Sequence, residues 1–289
     1  TLKRTFIRTG ATHIIPITSS RIHRFIFTQL IEKQFPDGIC FSIGFEHLTY
    51  EDRYFRYPCM YLDQETDAKM ETKHLQVPDP AHKKFCNFVY SNGEADPIRE
   101  LFFDKLSEYK TVDSGGRYRN NVGGPCADKR AFQSAYKFSI AFENSSHSGY
   151  VTEKLIDAYA AGTIPIYWGD PRIEEYFDPE SFIHITDEAS IPAAIERIKA
   201  IDQDAALYRK VMETPALRDI KDLSATKQEE LQKFLFHILD QPLEQAYRHN
   251  RVFWGKYYLD QQVAYVNSYH ELMNFKTKIK RLLPPWRKQ

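Results

Sequence analysis

The sequence predicts a doubly wound α/β fold, and two observations carry the prediction. Apolar runs of strand length alternate with helical patterns from Phe85 to Trp168. Turn residues and helix-terminating residues punctuate each change of period. Such alternation is the signature of parallel βαβ units.

The elements follow in order. Before Lys84, short apolar runs such as "RFIFTQLI" and "GICFSIGF" read as strands or short helices of an α/β layer, and "PDPAHKK", Pro78 to Lys84, reads as a linker. "FCNFVYSN" is rich in strand-forming residues and closes on a polar turn. In "DPIRELFFDKLSEY", Asp96 suits a helix cap and Pro97 the first helical position, while Leu101, Phe102, Leu106 and Tyr109 fall near helical spacing. "VDSGGRYRNNVGGP" reads as a loop. "YKFSIAFEN" is a strand, "VTEKLIDAYAA" a helix ended by Gly162, and "TIPIYWG" a further strand. "IPAAIERIKAI" and "TKQEELQKFLFHIL" add helices. Three domains are expected: 1–84, 85–245, and a helical, basic tail at 246–289.

Bulk composition narrows the function. Lys plus Arg equals Asp plus Glu at 39 each, which argues against a general nucleic-acid partner. None of the four cysteines sits in a C-x-x-C pair, so reduced thiols and no zinc are expected. No apolar run approaches bilayer length and the start carries no signal-peptide pattern. A cytoplasmic location follows as an expectation. From Phe275 onward six basic residues and no acidic one alternate with Ile279, Leu282, Leu283 and Trp286. That end suits either peripheral contact with an anionic membrane face or a solvated tail.

The turn after "FSIAF" carries the densest chemistry. In open parallel sheets, ligands bind at the carboxyl ends of the strands. Glu143 and Asn144 stand at such an end, and the loop leads into a helix opening near Thr152. A helix amino end favours an anion. Lys154 in its first turn is unfavourable for the helix itself, so an anionic ligand would explain it. Glu153 suits the dipole and can accept from ribose hydroxyls, and Asn144 and Tyr150 offer neutral contacts. The set fits a nucleoside-diphosphate pocket, or an ordinary exposed helix start. Neither a Walker loop nor a GxGxxG fingerprint is present.

"YKFSIAFENSSHSGYVTEKLIDAYAAGTIPIYWGDP", continued by "SFIHITD", resembles the signature region of the family 10 glycosyltransferases, the α1,3/1,4-fucosyltransferases. "FVYSN…PIR" and "VDSGGRYRNN" resemble the preceding segments of bacterial members, and "IGFEHLTYEDRYFRYP" the end of their first domain. The similarity runs from about Cys40 to Leu239. It implies a GT-B-like fold, two Rossmann-like parallel-sheet domains facing a cleft, the N-terminal one shortened here. It implies inverting transfer of L-fucose from GDP-fucose to a GlcNAc hydroxyl of a lactosamine-type glycan, without a metal. On the resemblance, Arg99 and Lys154 neutralise the diphosphate, and Asn144, Tyr150 and Glu153 hold GDP-fucose. Glu143 orients the donor or stabilises its loop. Arg117 and Arg119 serve the diphosphate, the acceptor, or only solvent. With the basic C-terminal end, the donor-site set makes the inner face of a bacterial membrane the expected place of action.

The similarity breaks at the catalytic base. The family carries a glutamate in a first-domain segment resembling F-T-G-E-N. Here the run is "FTQLIEKQFPD", and ungapped alignment puts Leu30 at that place. Glu32 is the candidate substitute and Glu46 a second. The alternative is a GDP-sugar-binding protein that lacks the usual base and is catalytically impaired.

Overall fold

The structure is a computed structural model. It describes residues 14–16, 41–49, 51–62, 69–218 and 224–242, with isolated helical positions between 245 and 275. Glu32 and the basic end beyond Phe275 lie outside the described residues. The chain divides into two compact units, one of 1–43, 50–54 and 235–289, the other of 44–49 and 55–234.

The first unit contributes to a short sheet of order β1–β2–β3, formed by Ile14–Pro16, Phe41–Gly44 and Tyr54–Arg56. β1 and β2 run parallel, with Ile14 opposite Phe41. The imidazole of His237 stands 6.3 Å from the Phe41 ring and 2.8 Å from the Asp52 carboxylate.

The second unit holds a five-stranded sheet. Its strands are β4 (Lys84–Phe88), β5 (Val112–Ser114), β6 (Tyr136–Phe142), β7 (Ile164–Trp168) and β8 (Ile183–His184), in the order β5–β4–β6–β7–β8. Every pairing is parallel. The doubly wound α/β fold expected from the alternation is the fold observed. The "VDSGG" segment is a correction: it opens with strand β5 at the sheet edge, where a glycine-rich sequence suggested only loop.

The helices are α1 (Ile98–Ser107), α2 (Lys129–Ser134), α3 (Glu153–Ala160), α4 (Ile191–Gln203), α5 (Ala205–Glu213) and α6 (Ser224–Leu239). α1 starts one residue later than expected: Pro97 is the residue before its first turn, and Asp96, one further out, still accepts from the Ile98 amide through its side chain at 3.2 Å. Phe102 and Leu106 of α1 are fully buried in one core with Phe88, Phe138 and Ile198. Burying such a side chain stabilises by about 1.5–3 kcal/mol. Truncating Phe102 to alanine would therefore cost about 3–5 kcal/mol with its cavity. α3 packs on β6 and β7 and buries Leu155, Ile156 and Tyr159. It stops at Gly162, whose φ of +65° is the left-handed conformation that glycine adopts freely. Pro78–Lys84 lies inside this unit, where Asp79 caps a single 3-10 turn, Pro80–His82.

The strand order places a topological switch point between β4 and β6. From β4 the chain goes outward to β5, then returns to the other side of β4 as β6. Loops leaving neighbouring strands in opposite directions open a crevice at their carboxyl ends. Tyr90, Asn92 and Arg99 follow β4 there, and Glu143 to Thr152 follow β6.

Candidate functional site

Glu143 follows the last residue of β6 and is fully buried. Its amide donates to the Trp168 carbonyl at 2.8 Å, extending the β6–β7 ladder by one bond. Its carboxylate is surrounded by donors. The Thr152 amide donates at 2.7 Å, the Thr152 hydroxyl reaches both oxygens at 2.9 and 2.8 Å, and Lys154 Nζ donates at 3.0 Å. Burial pushes the carboxyl up, while the Lys154 ammonium and the Thr152 bonds favour the anion. Gly169 belongs to this packing, because a Cβ there would lie 2.5 Å from Glu143 Cγ.

Lys154 is not the exposed first-turn lysine of an ordinary helix start. Only 16% of its side chain is exposed, and Nζ also donates to Thr152 Oγ1 at 2.8 Å and to Glu153 at 3.4 Å. Burial alone would lower its pKa; Glu143 and Glu153 outweigh burial and hold the ammonium above its usual range. The sequence offered an anionic ligand as the explanation of this lysine; the structure adds another, because Glu143, eleven residues upstream and across the loop, pairs with it. Thr152, the residue before α3, gives its hydroxyl to Glu143 rather than capping its own helix. Glu153 is 61% exposed. Burial of its surroundings raises its carboxyl, but Lys154, its own amide and Lys129 prevail and hold it below the usual range.

Arg99 is buried at 1% exposure. Nη1 donates to Asn144 Oδ1 at 3.2 Å and Nη2 to the Asn92 carbonyl at 2.5 Å. The guanidinium carbon stands 4.3 Å over the Tyr90 ring and 6.0 Å from that of Tyr118. Nε has no hydrogen-bond partner among the described residues. Burial lowers its pKa, yet an arginine stays charged in proteins. The groups bonded to the cation are thus neutral, and Glu100 acts on it only as a charge through space, with no carboxylate bonded to it among the described residues. Leaving such a charge without a counterion is costly, so the arrangement suits an anion brought from outside.

Tyr90 joins the two cations. Its hydroxyl donates toward the Ile140 and Phe142 carbonyls and accepts from the Phe142 amide at 2.7 Å, and burial raises its pKa. Asn144 is fixed from both ends, its carbonyl accepting from the Asp96 amide at 3.0 Å. Tyr150 is buried with its ring 5.2 Å from that of Phe45. Gly149 makes this contact geometrically possible. Its φ is +83°, and a Cβ would lie 2.1 Å from the Phe45 carbonyl oxygen.

The structure therefore brings Arg99, Asn144, Glu143, Glu153 and Lys154 into one bonded region, with Tyr150 beside it. Arg117 is not part of it: its side chain is exposed and makes no hydrogen bond or ion pair with the described residues. Arg119 is tied to Asp104 and lies 4.4 Å over Phe103. Sequence reasoning missed Tyr90 and Thr152. The strand alternation of Cys86, Phe88 and Tyr90 was a signal for the first, and a threonine directly before a helix for the second. Among the described residues no group of three or more His, Cys, Asp or Glu is placed to hold a metal ion, and no helix is long and apolar enough to cross a membrane.

The comparisons with known proteins fall on this same region. Residues 79–250 match the model of glycosyltransferase family 10 (fucosyltransferase), C-terminal part. Over 200 residues the chain is 37% identical to the α-(1,3)-fucosyltransferase FucT of Helicobacter pylori, covering 58% of this chain and 42% of that protein. It is 31% identical over 157 residues to α-(1,3)-fucosyltransferase 4 of Bos taurus, covering 53% of this chain and 39% of that one. The chain thus spans about two fifths of the length of these relatives. A crystal structure of α1,3-fucosyltransferase superposes with a TM-score of 0.64 at 29% identity, covering 75% of this chain and 71% of that one. One of α1,3-fucosyltransferase with GDP-fucose gives 0.62 at 31% identity, covering 74% and 73%.

Proposed function

The chain belongs to glycosyltransferase family 10, and from that premise we propose that it transfers L-fucose from GDP-fucose to a GlcNAc hydroxyl of a lactosamine-type glycan, forming an α1,3 linkage with inversion. The observation that carries the reading is Arg99: a buried cation among neutral partners, at the switch point of a parallel sheet, inside the segment that matches the family. A nucleoside diphosphate is the kind of anion that would complete it. The similarity to an α1,3-fucosyltransferase structure with GDP-fucose supports the choice of donor.

The chemistry follows from the charges. As the fucosyl–oxygen bond lengthens, negative charge grows on the departing GDP. Arg99, Lys154 and the α3 amino end are fixed before the reaction, so no reorganisation is needed to meet that charge. One such preorganised interaction contributes about 3–4 kcal/mol in the transition state. Glu143 sets the direction of Lys154, and Asn144 that of Arg99. Glu153 and Tyr150 then contact the sugar or ribose hydroxyls. On this reading the charge is met by protein cations and not by a metal ion. Peripheral contact of the basic C-terminal end with an anionic membrane face belongs to the same proposal.

The test is GDP-fucose turnover with N-acetyllactosamine, with and without a chelator. Fucosylated product, unchanged in rate by the chelator, is expected. A second reading keeps the donor site and drops the transfer, because Leu30 occupies the place of the family's base. It predicts GDP-fucose binding with no product.

A further inference from the structure

The Lys154 ammonium has three acceptors among the described residues, and they are not equivalent. Nζ donates to Glu143 Oε2 at 3.0 Å and to Thr152 Oγ1 at 2.8 Å, and these two residues are 0% and 4% exposed. Its contact to Glu153 Oε1 is longer, at 3.4 Å, and the Glu153 side chain is 61% exposed. An ammonium carries three N–H donors. Two are committed to groups that the fold holds in place, and the third to a side chain at the surface.

The two inner bonds are fixed from behind. The Thr152 amide donates to Glu143 Oε1 at 2.7 Å, and its hydroxyl accepts from Lys154 while giving its own proton to the Glu143 carboxylate. The nitrogen is tetrahedral, so two fixed N–H bonds also set the direction of the third. Glu153 meets that third bond from an uncommon position. Adjacent side chains of a helix do not ordinarily face each other. Here Glu143 and Thr152 draw the lysine back past the start of α3, where Glu153 is the first residue. Burial works against the Glu153 charge, but Lys154, its own amide and Lys129 outweigh it. A carboxylate of the chain itself therefore sits where an ammonium N–H and the opening of a helix both favour an anion.

We propose that Glu153 is a placeholder for the donor diphosphate. A phosphate oxygen takes the third N–H of Lys154, and the exposed Glu153 side chain swings away to accept from sugar hydroxyls. Thr152 is a positioning residue, which keeps that N–H aimed at the phosphate. The exchange replaces a long, exposed contact by a charge-assisted bond. It also gives Glu153 an effect opposite in sign to that of an ordinary binding residue: its charge competes with the diphosphate for the same donor. This inference rests on the proposed GDP-fucose site.

The experiment uses the full chain and measures GDP affinity by calorimetry, with a thermal melt, for wild type, Glu153→Gln, Asp157→Asn, Thr152→Val and Thr152→Ser. Glu153→Gln keeps an acceptor for a hydroxyl and removes the competing charge, so GDP should bind about 2–5-fold more tightly, the worth of an exposed ion pair. Asp157 lies one turn along α3 and is bonded to Lys129 at 2.6 Å. Asp157→Asn removes the same charge away from Lys154, and screening should hold its effect on GDP affinity below about 1.5-fold. Thr152→Val keeps the shape without the hydroxyl and should weaken GDP by about tenfold, while Thr152→Ser should stay within about twofold of wild type. GDP affinity in Glu153→Gln equal to or below that of wild type overturns the placeholder, and so does equal tightening by Asp157→Asn. Wild-type affinity in Thr152→Val overturns the positioning role. The Glu153 comparison decides the placeholder even if Thr152→Val does not fold, because Glu153 is exposed. A wild type that does not bind GDP overturns the donor site, and the placeholder with it.

Discussion

Replacing Glu143 by glutamine tests the donor cradle through the one ion pair that the structure makes its centre. The substitution keeps the shape and an acceptor for Thr152 but removes the charge opposite Lys154. Glu143 is fully buried and Lys154 is 16% exposed, so solvent can make up little of the loss. Removing one partner of a buried pair costs about 3–5 kcal/mol. The lower figure applies here, because the lysine keeps Glu153 and the Thr152 hydroxyl. At about 2–4 °C per kcal/mol for a domain of this size, Tm should fall by about 6–12 °C. GDP should then partly reverse the loss. Its diphosphate would supply the missing counter-charge, so the gap in Tm between variant and wild type should narrow at saturating GDP. Thermal melts of both proteins, with and without GDP, give the four values needed. A ligand-free Tm within about 2 °C of wild type would refute the ion-pair argument. A gap that GDP leaves unchanged would refute the placement of the diphosphate at Lys154.

Other expectations follow from neighbouring features. Arg99→Lys retains charge but loses the fork to Asn144 and Asn92 and the stacking on Tyr90, so GDP affinity should fall by about 10–100-fold; wild-type affinity by calorimetry would contradict this. Gly149→Ala forces a Cβ into the Phe45 carbonyl at a positive φ, and should cost about 2 kcal/mol or more and weaken donor binding with it; a melt equal to wild type would refute the close approach. Lys73 is buried with its ammonium on the Val211 and Met212 carbonyls, and burial depresses its pKa to about 8 against 10.5 in the unfolded chain. Between those values the unfolded chain holds the extra proton, so this group's contribution to stability rises with pH and its penalty is complete below about pH 8. Lys73→Met should therefore stabilise by up to about 3 kcal/mol at pH 7, and the gain should shrink as pH rises toward 10.5; a pH-independent gain in denaturant melts would count against burial of the charge.

The elements that position the site were legible because their sequences are locally decisive. β6 and β7 are runs buried on both faces, as expected of central parallel strands. The start of α1 is marked by Asp96 and Pro97, and the end of α3 by Gly162. Strand β5 was not legible, because three residues before a glycine pair carry almost no periodic signal and are strands only through pairing with β4. In the same way, Glu143, Asn144, Glu153 and Lys154 could be singled out from their place after a strand, but not their partners. Lys154 looked like a lysine waiting for a ligand, and the fold gives it Glu143. The resemblance gave Arg99 a place at the diphosphate, but not its burial over the Tyr90 ring. Such pairings arise from bringing the ends of β4 and β6 together, which no local pattern records. Arg117 shows the converse: a loop arginine near a site in sequence that the fold leaves exposed.

The most direct measurement is the mass of N-acetyllactosamine after incubation with GDP-fucose and the folded chain, run in parallel with Arg99→Ala. The account predicts the gain of one deoxyhexose with wild type, lost with the variant together with GDP affinity. Binding of GDP-fucose by wild type with no gain in acceptor mass would contradict fucosyl transfer, and unimpaired product from Arg99→Ala would contradict the donor site built around that buried cation.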